Sequence, residues 1–256
     1  MLRTRVIPTL LLRNESLVKT VRFGNFSYIG DPCNTVRIFN ELEVDELLFL
    51  DITATRERRR PNLGVLREIA NECFMPLGYG GGICDLDAAK AVFDIGFEKI
   101  VVNSAAFKRP ELIRELSSHY GSQAIIASID VRNDWRGRQR VYQHRWGKVL
   151  PQGPVEWART MQEMGAGEIL LTSVDREGTW SGFDVELIRR VTAAVSVPVI
   201  AHGGAGCVAD ISRAVREGNA AAVAVGSMVV FQKKGMGVLV NFPEGDDLRA
   251  ATETRP

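Results

Sequence analysis

Two glycine clusters stand out among the residues that could do chemistry. GYGGGI spans Gly78–Ile83 and AHGGAG spans Ala201–Gly206, so Gly203 follows Gly81 by 122 residues. Each cluster follows an apolar run and precedes a helical pattern. Glycines placed there let the backbone close on an anion, and the next helix N-terminus offers it free N–H groups. Asn103 and Ser104 add side-chain donors after the next apolar run, and Gly226 and Ser227 take the corresponding place in the second half. Tight turns alone would also use glycine at either cluster. Two clusters at corresponding positions point further, to a small substrate with a phosphate at each end. Gly81, Gly82, Asn103 and Ser104 would hold one phosphate, and Gly203, Gly204, Gly226 and Ser227 the other.

A carboxylate able to move a proton stands between them. Asp130 closes the apolar run IIASID. An aspartate at the C-terminal end of a barrel strand faces the active-site mouth, although a turn or cap aspartate would look the same in sequence. The first apolar run, RVIPTLLLRN (Arg5–Asn14), ends instead on Leu10, Leu11 and Leu12, which carry no such chemistry.

These residues need a scaffold, and the chain alternates short β-rich runs with amphipathic helical segments. The runs are Val6–Leu12, Leu47–Ile52, Met75–Gly78, Lys99–Asn103, Ala124–Asp130, Glu168–Thr172, Val197–Ala201 and Ala222–Val225. Helical patterns cover Asn34–Leu42, Leu63–Ala70, Leu86–Asp94, Pro110–His119, Val155–Met164, Val185–Ala194, Val208–Glu217 and Met228–Val240. Asp85 is placed to cap one helix and Pro110 to open another. Strands alternating with helices imply parallel pairing through right-handed crossovers. Eight such units predict a closed α/β fold, the (β/α)₈ TIM barrel, for which about 250 residues is the usual length. The alternative, a doubly wound open sheet, is weakened because no GxGxxG follows the first strand.

The glycine echo is one of three in the same register. VVNSAAF (Val101–Phe107) matches VAVGSMV (Val223–Val229), and DELLFLDITA (Asp45–Ala54) matches GEILLTSVDR (Gly167–Arg176). Two half-barrels follow, about residues 1–120 and 121–243, within a single domain over 1–256. A hairpin is expected within Arg132–Gly153, over the mouth, and the polar tail from about 244 to 256 is expected to fray.

Composition narrows the function classes. The 256 residues are 45% hydrophobic and 25% charged, with a formal net charge of +1. That balance gives no electrostatic reason to expect a nucleic-acid or membrane partner. No apolar run approaches the roughly 18 residues that span a bilayer, and the start lacks a small-residue cleavage site. Cys33, Cys73, Cys84 and Cys207 are scattered without metal-ligand spacing, which suits reduced thiols in the cytoplasm. No metal or other cofactor is implied.

The residues also resemble a known family. RVIP (Arg5–Pro8), LVKT (Leu17–Thr20), GDP (Gly30–Pro32), DELLFLDITA, GYGGGI, NSAA (Asn103–Ala106), PELI (Pro110–Ile113), the Ile129–Asp130 pair, GAGEILLTSVDREGT (Gly165–Thr179) and GGAG (Gly203–Gly206) are similar to the cyclase subunit of imidazole glycerol phosphate synthase. The likeness runs from about residue 1 to about residue 240. It implies a half-repeated (β/α)₈ barrel acting on a ribulosyl aminoimidazole carboxamide with two phosphates. A glutaminase subunit would dock at the bottom as a heterodimer and release ammonia into the barrel interior. Attack, cleavage and ring closure at the top would use two aspartates, at the ends of strands one and five, as acid and base.

The resemblance maps the strand-five aspartate onto Asp130 and the strand-one aspartate onto Leu11. RNES (Arg13–Ser16) replaces the family's lysine–aspartate–glycine turn, while Lys19 is retained in what is expected to be a flexible loop. Leucine cannot move a proton, and losing a positioned acid or base costs about 10²–10⁴ in rate. His202 falls beside the second glycine cluster. It could titrate near neutrality as a substitute, or be a packed or solvent-facing histidine. Asn14 and Glu15 lie too far along the loop to replace Leu11. His144 matches a family loop residue and reads as structural, and His119 as a helix-surface residue. The resemblance further implies a charged ring of Arg5, Glu46, Lys99 and Glu168 gating ammonia entry, although plain ion pairing at strand starts would look alike. Asp51, Thr53, Thr172 and Asp175 match substrate contacts at the mouth. Glu177 is a longer carboxylate where the family has aspartate, and Trp180 replaces a smaller or basic residue.

Three functional readings follow. One is a diverged cyclase-like subunit that takes ammonia from its glutaminase and serves another acceptor. The chain's FQKKGMGVLVNFP ending (Phe231–Pro243) resembles a branch that supports acetamidino formation on surface polysaccharide with a sugar amidotransferase. The second is a working histidine-biosynthesis cyclase, and the third a non-catalytic phosphosugar-binding scaffold that activates its partner.

Overall fold

The computed structural model describes residues 4–252. Eight parallel strands form the barrel: β1 (Arg5–Arg13), β4 (Leu47–Asp51), β5 (Leu77–Gly80), β6 (Lys99–Val102), β7 (Ile125–Asn133), β10 (Glu168–Ser173), β11 (Val199–His202) and β12 (Ala222–Val225). Each pairs with the next, and β12 returns to β1 through Arg5↔Ala222 to Pro8↔Val225, which closes the sheet. Two further strands, β2 (Ser16–Thr20) and β3 (Phe26–Gly30), form an antiparallel ribbon on the upper end of β1. Another two, β8 (Gln139–Gln143) and β9 (Lys148–Val149), extend β7 as the expected hairpin.

Helices fill the crossovers: α1 (Pro32–Glu41), α2 (Ala54–Glu57), α3 (Leu63–Glu72), α4 (Leu86–Phe93), α5 (Glu111–Tyr120), α6 (Pro154–Glu163), α7 (Val185–Thr192), α8 (Val208–Arg216), α9 (Ser227–Val230) and α10 (Gly245–Thr252). Local chemistry sets where they start. The side chains of Asp31, Asn62, Asp85 and Asp184 each accept an otherwise orphaned N–H three residues on, opening α1, α3, α4 and α7. Such a cap is worth about 1 kcal/mol. Pro32 and Pro154 sit at first helical positions, where no N–H is needed.

Strand periodicity divides the apolar residues into two cores. Ile7, Leu48, Val101, Ile126, Leu170, Ile200, Ala222 and Ala224 pack inside the barrel. Val6, Leu10, Leu12, Phe49, Ile100 and Ile129 belong to the larger layer between strands and helices. Side chains alternate along a strand, so Arg5, Ile7, Thr9 and Leu11 share the inward face of β1.

Three expectations change. The segment after β1 is not a flexible loop, because β2 and β3 pair across it and Lys19 is only 5% exposed. The helix expected over Met228–Val240 stops at Val230. Gly235 then turns with positive φ, and Phe231 bridges back to Val238. The tail expected to fray carries α10, whose Leu248 and Ala251 are buried, while Arg216 Nη2 donates to the Ala250 carbonyl at 2.6 Å. Residues 253–256 of that tail lie outside the described residues. Smaller shifts place β5 and β11 two residues later at their starts than the runs Met75–Gly78 and Val197–Ala201 suggested.

Candidate active site at the barrel mouth

Both ends of β1 meet polar chemistry. At the bottom, Arg5 donates to Glu46 Oε2 at 2.6 Å and to Glu168 Oε1 at 2.7 Å. Lys99 Nζ reaches the same two oxygens at 3.0 and 3.4 Å. Two cations and two carboxylates thus form a closed ring. Burial opposes the Arg5 charge, but Glu168 and Glu46 outweigh it and raise its pKa. Glu46 Oε1 and Glu168 Oε2 are buried in the ring region without a hydrogen-bond partner.

At the top lies a cavity of about 520 Å³. Leu11, Asp51, Thr53, Gly81, Gly82, Asn103, Ser104, Asp130 and Thr172 line it, so β1, β4, β5, β6, β7 and β10 all deliver a residue expected at the mouth. The first glycine cluster takes positions other residues could not. Gly81 and Gly82 have φ of +134° and +69°, and a Cβ on Gly82 would stand 2.7 Å from the Arg59 carbonyl oxygen.

Asp130 is 7% exposed, and Asn103 Nδ2 donates to its Oδ2 at 2.9 Å. Burial raises its pKa to about 7, against the opposing hydrogen bonds of Asn103 and Thr172. Thr172 Oγ1 also lies 3.1 Å from His202 Nδ1. The Thr172 hydroxyl and His202 Nδ1 can each donate or accept in this contact, so the imidazole tautomer sets its direction. His202 lines the cavity but does not titrate near neutrality. Burial, and secondarily Lys19, lowers its pKa to about 3. Of the two expectations for His202, that favours the packed histidine over a substitute acid or base.

Other expected residues are placed differently. Asp51 is already satisfied: Arg59 grips it at 2.8 and 3.0 Å, and the Thr53 and Ala54 N–H groups donate to it. Asp175 is not among the cavity residues; its carboxylate accepts from the Asn133 N–H at 2.8 Å. The second glycine cluster is covered. Gly203 and Gly204 are buried, and the Gly204 carbonyl accepts from the Gly182 N–H at 2.8 Å. Ser227 is buried, and a Cβ on Gly226 would overlap Lys19 Nζ. Burial lowers the Lys19 pKa, while Glu177 works to raise it. Trp180, at φ 62°, packs its backbone against Gly206.

The sequence pointed to neither the Glu177 contacts nor the basic rim. Glu177 accepts from Thr20 Oγ1 at 2.9 Å and from the Phe23 N–H at 3.0 Å, which ties the β2–β3 ribbon down beside the cavity. His144 lines the cavity and meets the Phe23 ring edge-on at 5.4 Å. Arg13, Arg56 and Arg145 also line it. The run RERRR (Arg56–Arg60) was the available signal for that charge.

The comparisons with known proteins fit this geometry. The histidine biosynthesis protein family matches residues 5–234. The chain belongs to the histidine biosynthesis protein family. Within that family it is 45% identical over 248 residues, 97% of this chain and 99% of the relative, to "Putative imidazole glycerol phosphate synthase subunit hisF2" of Pseudomonas aeruginosa. It is 42% identical over 251 residues, 98% and 99% of the two chains, to "Putative imidazole glycerol phosphate synthase subunit HisF" of Leptospira borgpetersenii. The "Imidazole glycerol phosphate synthase subunit HisF" of Alkaliphilus metalliredigens is 41% identical over 228 residues, 89% and 90%. The family match supports a cyclase-like synthase subunit on a TIM barrel. Among the described residues, no helix is long and apolar enough to cross a membrane.

Proposed function

We propose that this cyclase-like subunit accepts ammonia from a glutaminase docked below the charged ring and serves an acceptor other than the histidine precursor. The acceptor would be a phosphorylated sugar-like molecule, and the product an amidino group of the kind found on surface polysaccharide, with a sugar amidotransferase as a further partner. One observation carries this reading. The inward face of β1 keeps Arg5 in the ring at its bottom and presents Leu11 to the cavity at its top. Asp130 is then left as the carboxyl poised to exchange a proton near neutrality, since Asp51 is held by Arg59 and Glu177 by the ribbon. An acid–base pair needs two such groups. The apolar interior between ring and mouth suits neutral ammonia rather than ammonium.

In this reading one phosphate sits on Gly81, Gly82, Asn103 and Ser104. A second would meet Gly203, Gly204, Gly226 and Ser227 once the Gly182 backbone that covers Gly204 moves aside, with Lys19 as counter-charge; the Lys19 side chain makes no hydrogen bond or ion pair among the described residues. The test is complementation of a histidine auxotroph lacking its cyclase subunit. The expected outcome is no growth, and little or none from Leu11→Asp. Growth of the unaltered chain would overturn the reading in favour of a working histidine cyclase, the second reading, which Asp130 at about 7 favours.

A further inference from the structure

Three arginines line the mouth cavity without a carboxylate partner. The side chains of Arg13, Arg56 and Arg145 make no hydrogen bond or ion pair among the described residues. Their neighbours behave differently: Arg59 is paired with Asp51 and Glu57, and Arg60 with Asp85. Like charges converging on one concavity repel one another, so they do not serve the stability of the empty fold. Guanidinium is the group best shaped for bidentate contact with phosphate oxygens.

Aromatic rings accompany these charges. The Arg13 guanidinium lies 3.7 Å from the Phe26 ring centroid, and Phe26 and Phe23 both line the cavity. His144 stands against Phe23, and its Nδ1 is buried without a hydrogen-bond partner. Burial, then the charges of Arg56 and Arg132, lowers the His144 pKa, so the ring stays neutral, and its other nitrogen, Nε2, makes no hydrogen bond among the described residues and can bond to an uncharged heteroatom. Beyond Arg13 and Phe26 the cavity adjoins a second one of about 600 Å³, lined by Tyr28, Arg59, Arg60 and Asn62.

We infer that the mouth recognises a nucleoside-diphosphate-linked molecule. The diphosphate lies among Arg13, Arg56 and Arg145, and the base lies against the Phe23, Phe26 and His144 rings. The inference rests on the reading that the acceptor is phosphorylated, and it names the class of that acceptor. A simple sugar bisphosphate would use the charges but leave the aromatic rings and the His144 nitrogen without a role.

The experiment is calorimetric titration of the full chain with UDP, ADP, GDP and CDP, and separately with inorganic phosphate, pyrophosphate and a sugar bisphosphate. At least one nucleoside diphosphate should bind about tenfold or more tightly than pyrophosphate, because stacking adds to charge. Arg56→Met and Arg145→Met should each weaken it by about tenfold, the scale of a charge-assisted hydrogen bond. Both should leave inorganic phosphate binding unchanged, and Arg136→Met, in the β7–β8 turn and not among the cavity residues, should change neither. His144→Phe should weaken the nucleotide and spare pyrophosphate. Matching thermal melts exclude misfolding. Nucleotides no tighter than pyrophosphate, or tight binding untouched by the arginine and His144 changes, would overturn the inference. Phosphate binding lost in Ser104→Val would still uphold the phosphorylated-acceptor reading in that case. Absence of all phosphate binding would overturn both.

Discussion

Asn103 Nδ2 stands 2.9 Å from Asp130 Oδ2, and this contact works against the burial that raises the Asp130 carboxyl to about 7. Removing the donor in Asn103→Ala should move the pKa higher still, which carbon NMR of the carboxyl would read. The same shift predicts a stability trend. The folded pKa lies above the unfolded value of 3.8, so the folded state holds a proton that the unfolded chain releases. That advantage is complete below about pH 4 and is lost as pH rises to about 7. Asp130→Asn should therefore be more stable than the parent at about pH 8, by on the order of a few kcal/mol, with the gap closing towards pH 4. A gap independent of pH would show that folding leaves the Asp130 pKa unchanged.

The bottom ring separates a structural role from a gating one. Lys99→Met leaves Glu46 and Glu168 facing Arg5 alone. The expected loss is about 1–3 kcal/mol, less than for a fully buried pair because solvent reaches Lys99 and Arg5. Adding Glu168→Gln removes the surplus charge and should recover most of that stability. If the ring gates ammonia, coupling between glutamine hydrolysis and product formation should remain broken in the double variant. Coupling that recovers together with stability would reduce the ring to ion pairing.

The barrel was legible because its signals are local and periodic: eight apolar runs, capping residues such as Asp85, and glycines where φ must be positive. The residues gathered at the mouth were legible for a related reason, since they end strands that all point the same way. The β2–β3 ribbon was not. SLVKT and FSYIG are short, and their pairing depends on β1 running on to Arg13. The ending was misread because a helical pattern continues across Gly235 and Gly237, while Phe231↔Val238 pairing decides otherwise. The covering of Gly204 depends on the Gly182 backbone and that of Gly203 on Ser173, and the partners of Asp51 and Glu177 on groups 8 residues and 154 to 157 residues away in sequence. Composition and spacing do not encode such contacts.

Glu177 holds the ribbon over the mouth through Thr20 and the Phe23 N–H, while its own carbonyl accepts from the Arg22 N–H at 2.9 Å. Glu177→Ala should cost about 1–3 kcal/mol, the cost of leaving donors unpaired, and should speed hydrogen exchange at Phe23 above all. It also removes the charge that raises the Lys19 pKa, so Lys19 should titrate lower. Glu177→Gln keeps an oxygen for Thr20 and should restore much of the exchange protection, but not the Lys19 shift. Unchanged exchange at Phe23 in the alanine variant would mean the ribbon is held by its pairing to β1 alone.

His202 provides the complementary test of what replaced the strand-one acid. Its folded pKa of about 3 lies below the ordinary 6.5, so the unfolded chain takes up a proton that the folded state refuses. The stability this neutral histidine permits is fully present above about pH 6.5 and declines as pH falls towards about 3. His202→Asn can keep a donor to Thr172 without the titrating ring. It should therefore lose less stability than the parent between about pH 6.5 and 4, with the advantage reaching on the order of a few kcal/mol at the acid end. Nitrogen NMR of the parent should show a neutral ring across that range. A ring that instead titrates near 6.5 beside Asp130 would restore a second proton-exchanging group to the mouth. The leucine at position 11 would then no longer argue against cyclase chemistry.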